Sequence, residues 1–155
     1  MKRYGNLYSK IIAEDNLRLS HINARKGKGF YYEVQEVDEH LDERIEELGY
    51  ILDPVSKIYV PSPYSKYRKK DGKKERDIFK LPYYPERMIQ WSILQVLGPI
   101  LIRQFTADTF SAVPGRGIHS CIADIKKVLI SDPDGTVYCL QCDVRKYYPS
   151  INRDL

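Results

Sequence analysis

The chain has 155 residues, 43% hydrophobic and 30% charged, with a formal net charge of +4. That balance excludes a disordered chain and predicts a soluble globular one of about one domain or one and a half. The start lacks the apolar segment of a signal peptide, no apolar run is long enough to span a membrane, and an odd set of three cysteines makes no disulfide scaffold, so a cytoplasmic protein is expected.

The charge is unevenly spread. Residues 1–30 hold seven Lys or Arg against two acids, residues 33–53 nine acids against Arg44, and residues 57–80 nine Lys or Arg against three acids. Such blocks suit a polyanion on one side of the molecule, or a solvated surface of mixed patches. Thirteen Tyr supply side chains that can both pack and stack.

Residues 7–24 can form a helix, with Leu7, Ile11, Ile12, Leu17 and Leu19 as a rough apolar face. It runs into Asn23-Ala24-Arg25-Lys26-Gly27-Lys28-Gly29. The two Gly there permit close backbone approach to a phosphate, and a solvated helix end is the other reading. Residues 38–48 predict a second helix, with Leu41, Ile45 and Leu48 inward, an acidic outer face and Gly49 as its stop. Asp53-Pro54 predicts a turn, and residues 58–60 a short strand ended by Pro61 and Pro63.

Residues 64–74 are the most basic run, and Asp71-Gly72 is a two-residue hairpin signal. Tyr67 on one side and Ile78-Phe79 on the other predict the arms. Lys and Arg interleaved with aromatics suit a phosphate-rich strand, and a mobile loop kept soluble by its lysines is the alternative. The stretch from Pro85 to Leu97 is apolar nearly all round, so a buried helix is expected, broken or kinked at Gly98-Pro99. Arg87 and Gln90 are its polar exceptions and require partners. Pro114-Gly115-Arg116-Gly117 then leads into a helix with Ile118, Cys121, Ile122, Ile125, Val128 and Leu129 on one face.

Residues 137–142 read as a buried strand, preceded by an Asp134-Gly135 turn and ended by Asp143. Asp143 can ligate a hard cation such as magnesium, or it can cap the next turn. Cys139 and Cys142 have the C-x-x-C spacing, but on a strand they face opposite sides, which favours small buried hydrophobes over a zinc site.

Asp143-Val144-Arg145-Lys146-Tyr147-Tyr148-Pro149-Ser150-Ile151 resembles the first palm motif of reverse transcriptases, in the bacterial and group II intron-like branch. Three upstream segments resemble the same family: Lys74-Glu75-Arg76-Asp77-Ile78, residues 80–91, and residues 111–119. This chain has Asp77 where the family pattern has Pro, and Glu86 where Asp is usual. The resemblance implies an α+β fold: a fingers subdomain over residues 1–135 with a basic hairpin, then the first palm strand over 136–155. It implies that Asp143 binds two magnesium ions, helped by the Val144 carbonyl, and that Tyr148 rejects a ribose 2′-hydroxyl. Arg76, with Lys74, Lys69 and Lys70, would neutralise the triphosphate. Arg116 and Gly117 would meet the template–primer, and Arg25, Lys26 and Lys28 the RNA template.

The implied activity is RNA-directed DNA synthesis from an RNA template, a DNA or RNA primer and deoxynucleoside triphosphates. The family's second palm motif carries two adjacent Asp; no Asp-Asp occurs here, and the chain ends twelve residues after Asp143. The expectation is an N-terminal fragment, inactive alone, whose remaining palm and thumb lie in the same or another chain. The alternative is a non-catalytic RNA-binding module that retains a polymerase fingers surface.

Overall fold

The expected single helix over residues 7–24 is two helices, α1 (Leu7–Ile11) and α2 (Glu14–Ala24). The chain breaks at Ala13, whose backbone is extended, with ψ 136°. The Asn16 amide donates to the Ile11 carbonyl at 2.9 Å and so satisfies an acceptor that the helix end leaves open. The buried face of α2 is Leu17, Ser20, His21 and Ala24, spaced i, i+3, i+4 and i+7. Leu19, expected inside, is exposed. Ser20 can take an inner position because its hydroxyl donates to the Leu17 carbonyl at 2.6 Å.

These coordinates come from a computed structural model, which describes residues 3–56, 58–72, 74–145 and 147–152, with the backbone alone at 148 and 149. The described chain is α+β and divides into two compact units, residues 1–104 and 105–155, each taken by itself below. The subdomain boundary expected at 135/136 lies inside the second unit.

In the first unit, α3 (Tyr32–Glu39) and α4 (Leu41–Ile51) occupy the region of the expected 38–48 helix, with a turn at His40. Gly49 lies inside α4 instead of stopping it. A helical Gly costs about 1 kcal/mol, and carrying the helix on brings Leu52 into the core. The Asp53-Pro54 turn forms as expected, with the Val55 N–H donating to Asp53 Oδ1 at 2.9 Å. The expected strand at 58–60 does not form, since no described strand pairs with it.

Strands β1 (Ser65–Asp71) and β2 (Lys74–Lys80) make an antiparallel hairpin. A kinked turn (Tyr83–Arg87), extended at Tyr84, then leads into α5 (Met88–Ile102). Helix α5 is one element through Gly98-Pro99, where a break or a kink was expected, so the chain does not break there, and it buries only Met88, Ile89 and Ser92. Its later residues Leu94 and Leu101 are about half exposed, so the fully buried helix expected from composition is buried on one face at its start.

The core gathers one or two turns from each helix: Leu17 and Ala24 from α2, Val34 and Val37 from α3, Ile45 and Leu48 from α4, Met88 and Ile89 from α5. Trp91 packs against it. Ser20 and Ser92 are fully buried, and such small residues let α2 lie close on α5. A polar seam fixes the pair: Gln95 Nε2 donates to Asn16 Oδ1 at 2.8 Å, and Asn23 Nδ2 donates to Gln95 Oε1 at 2.8 Å.

The second unit carries α6 (Ile118–Ser131) and a short α7 (Tyr147–Ser150). Helix α6 falls where the sequence places it, but its apolar face, Ile118, Ile122, Ile125, Val128 and Leu129, is exposed. The buried strand expected over 137–142 is not formed: the segment is irregular, and Val137, Tyr138 and Leu140 are exposed. A strand needs a neighbour for its backbone groups, and none of the described residues supplies one. Cys139 and Cys142, expected to be buried, are exposed free thiols, and Cys121 is half-buried.

Candidate functional site

The hairpin register sorts its charges. Cross-strand partners share a face. Tyr67↔Ile78, Lys69↔Arg76 and Asp71↔Lys74 therefore lie on one face, and Lys66↔Phe79, Arg68↔Asp77 and Lys70↔Glu75 on the other. Asp71 is the last paired residue, so the turn begins at Gly72, one position later than the sequence signal suggested. Gly72 has φ +61°, which the primed hairpin turns require and which glycine adopts without strain.

The second face is largely neutralised. Lys66 Nζ meets Asp77 Oδ2 at 2.8 Å, and Arg68 reaches both Asp77 and Glu75. Lys66 first, then Arg68, holds the Asp77 carboxyl below its ordinary range. Lys66 also lies 5.4 Å from the centre of the Phe79 ring. The first face sets Lys69, Lys74 and Arg76 against Asp71, whose Oδ2 is 2.9 Å from Arg76 Nε. Of the four residues expected to hold a triphosphate, the structure brings together Lys69, Lys74 and Arg76 and puts Lys70 on the opposite face.

The hairpin's foot is anchored. Lys80 Nζ pairs with Glu33 Oε1 at 2.5 Å, and the same carboxylate accepts the Tyr83 N–H at 3.3 Å. A second anchor is Glu86, a buried carboxylate whose Oε1 accepts the Ser62 N–H at 2.7 Å. Beside the foot, a cleft of about 750 Å³ is lined by Lys28, Tyr31, Tyr64, Tyr67, Ile78 and Arg87, among others. Arg87 Nη1 donates to Gln90 Oε1 at 3.3 Å, which supplies the partner that sequence reasoning could not name.

The basic turn after α2 is held from below. His21, buried, meets Asp38 Oδ1 at 2.7 Å through Nε2, and Tyr83 Oη lies 3.0 Å from its Nδ1. The other Asp38 oxygen accepts from Arg25 Nη2 at 2.8 Å. Burial, and then the Asp38 charge, push the Tyr83 hydroxyl up to about 12. Lys26 donates to Asn23 Oδ1 at 2.7 Å, and Lys28 faces the cleft. Of the three expected template contacts, Arg25 and Lys26 are engaged by other side chains, and Lys28 alone makes no ion pair or side-chain hydrogen bond among the described residues.

In the second unit, Val113-Pro114-Gly115-Arg116 closes a tight turn in which the Arg116 N–H donates to the Val113 carbonyl at 3.0 Å. Gly115 has φ +77°, the left-handed value that a type II turn places after Pro. Arg116 Nη1 donates to the Thr106 carbonyl at 2.9 Å, so this side chain braces its own loop, and Gly117 is the extended residue just before α6. Asp143 and Val144 are exposed. The Tyr148 side chain lies outside the described residues. No group of three or more His, Cys, Asp or Glu able to hold a metal occurs among the described residues. A two-ion centre needs more than one carboxylate, and the described residues do not by themselves make one up. Among them, no helix is long and apolar enough to cross a membrane.

The chain matches no protein-family model, and a search of the curated proteins finds no match. Sequence reasoning missed Glu86, His21 and Asp38. The only signal for Glu86 was a carboxylate at the entrance of an apolar helix; His21 and Asp38, seventeen residues apart, had none.

Proposed function

We propose that this chain is the fingers subdomain and first palm motif of an RNA-directed DNA polymerase related to the bacterial and group II intron-like reverse transcriptases. The observation that carries the reading is the hairpin register, which collects Lys69, Lys74 and Arg76 on one solvent-exposed face. Three cations on a two-stranded ribbon are suited to a triphosphate, and the planar Arg76 fork can hold two of its oxygens at once. Asp143, with the Val144 carbonyl beside it, would supply one carboxylate to a magnesium centre, which needs a further carboxylate. Lys28 and the exposed aromatics Tyr31 and Tyr67, at the cleft beside the hairpin, suit the phosphates and bases of a single strand.

The experiment is primer extension on an RNA template by the polymerase that carries this chain, with Asp143→Asn beside it. Extension that is lost in the variant supports the reading. Extension that survives Asp143→Asn overturns the role of Asp143. Salt-dependent RNA binding with no extension by any protein containing the chain makes it a binding module instead.

A further inference from the structure

The cationic hairpin face contains one acid, and its position is specific. Asp71 is the last paired residue of β1, directly across from Lys74 and one pair from Lys69↔Arg76. Its carboxylate forms an ion pair with Arg76, Oδ2 lying 2.9 Å from Nε. That contact is made through Nε, and the Nη1–Nη2 edge of the guanidinium, the edge that grips two phosphate oxygens, has no other ion pair or hydrogen bond among the described residues. The opposite face sends its own acids, Glu75 and Asp77, to Arg68 and Lys66. Asp71 is thus the one negative charge that a polyphosphate meets when it settles on Lys69, Lys74 and Arg76.

From this geometry we infer that Asp71 is a specificity residue, which narrows the advantage that the cationic hairpin face gives a bare triphosphate over its divalent-cation complex. This rests on the reading of the hairpin as a triphosphate site. The physical basis is the linear dependence of Coulomb energy on ligand charge. A bare triphosphate carries roughly twice the net charge of its magnesium complex, because the cation sits on the phosphate oxygens. A fixed carboxylate nearby therefore repels the bare anion about twice as strongly in free energy as the complex. Ion-pair exchange alone does not account for such a difference, because Asp71 releases Arg76 equally for either ligand. The pair is exposed, with 60% and 62% of the two side chains accessible, so solvent screening keeps the effect modest.

The test is Asp71→Asn, which removes the charge and keeps the size and polarity of the side chain. The 155-residue chain is titrated with deoxyadenosine triphosphate, once with excess magnesium and once with a chelator, and followed by amide NMR shifts, which also report whether the variant is folded. Wild type, with three cations against one carboxylate on the face, is expected to bind the bare anion the more tightly of the two. In Asp71→Asn the affinity for the bare anion rises about tenfold and that for the complex about threefold, so the margin in favour of the bare anion widens about threefold. Equal changes for both ligands, or weaker binding of both, overturn the inference while the triphosphate site stands. Wild-type shifts that do not map to the hairpin, or binding unchanged by Arg76→Ala, overturn the triphosphate reading itself.

Discussion

The Tyr59 hydroxyl donates to Glu86 Oε2 at 2.7 Å, tying the segment that leads into the hairpin to the kinked turn that leads out of it. The other Glu86 oxygen holds the Ser62 N–H. One carboxylate, 5% exposed, thus closes both ends of the hairpin's base.

Glu86→Ala removes the acceptor and orphans two donors, so it is expected to destabilise the fold by about 2–4 kcal/mol. Tyr59→Phe leaves the Ser62 bond in place and should cost about 1 kcal/mol. Urea denaturation of both variants checks the order. A Glu86→Ala loss no larger than that of Tyr59→Phe would show that the carboxylate does not clamp the base.

Asp38 is the acceptor for both buried His21 and exposed Arg25. Asp38→Ala should cost about 1–3 kcal/mol, because it strands a ring nitrogen inside the fold. It should also free the basic turn, which amide exchange of residues 25–30 would record as lost protection. Unchanged exchange there would mean that the turn holds itself.

The two hairpin faces predict unequal roles for neighbouring lysines. Arg76→Ala should weaken triphosphate binding about tenfold, Lys69→Ala less, and Lys70→Ala least, since Lys70 points from the face that carries Glu75. Titration of the three variants with one nucleotide gives the ranking. A Lys70→Ala loss equal to that of Arg76→Ala would place the ligand on the other face or at the tip.

Alkaline pH should loosen the first unit. Burial first, and then Asp38, push Tyr83 up to about 12 from an ordinary value of 10.0. Burial first, and then Glu86, push Tyr59 up to about 12. The folded state keeps both hydroxyls protonated, whereas the unfolded chain releases them near 10.0. Their contribution is therefore complete below pH 10 and is lost as pH rises toward 12. Denaturation midpoints across that range, with tyrosinate absorbance beside them, measure the decline. Stability that stays flat would contradict the burial of these hydroxyls.

Local chemistry was legible in the sequence wherever neighbours alone decide the outcome. Asp71-Gly72 announced the hairpin, Asp53-Pro54 its turn, and the spacing of Ile118, Ile122 and Ile125 the helix α6. Burial was not legible, because it depends on partners far along the chain. Ser20 and His21 displaced Leu19 from the inner face of α2 because Tyr83, sixty-two residues on from His21, and Asp38 satisfy the imidazole. The apolar run at 137–142 has strand-forming residues, but propensity cannot pair a strand with a neighbour that the described chain does not offer.

All three cysteines fall in the second unit, and the single tryptophan, Trp91, packs on the core of the first. The chain therefore carries a separate native reporter in each half. Indole emission follows residues 1–104, and a thiol-reactive dye on exposed Cys139 or Cys142 follows residues 105–155. Melting of the two halves can be recorded side by side in one sample, without an engineered residue in either.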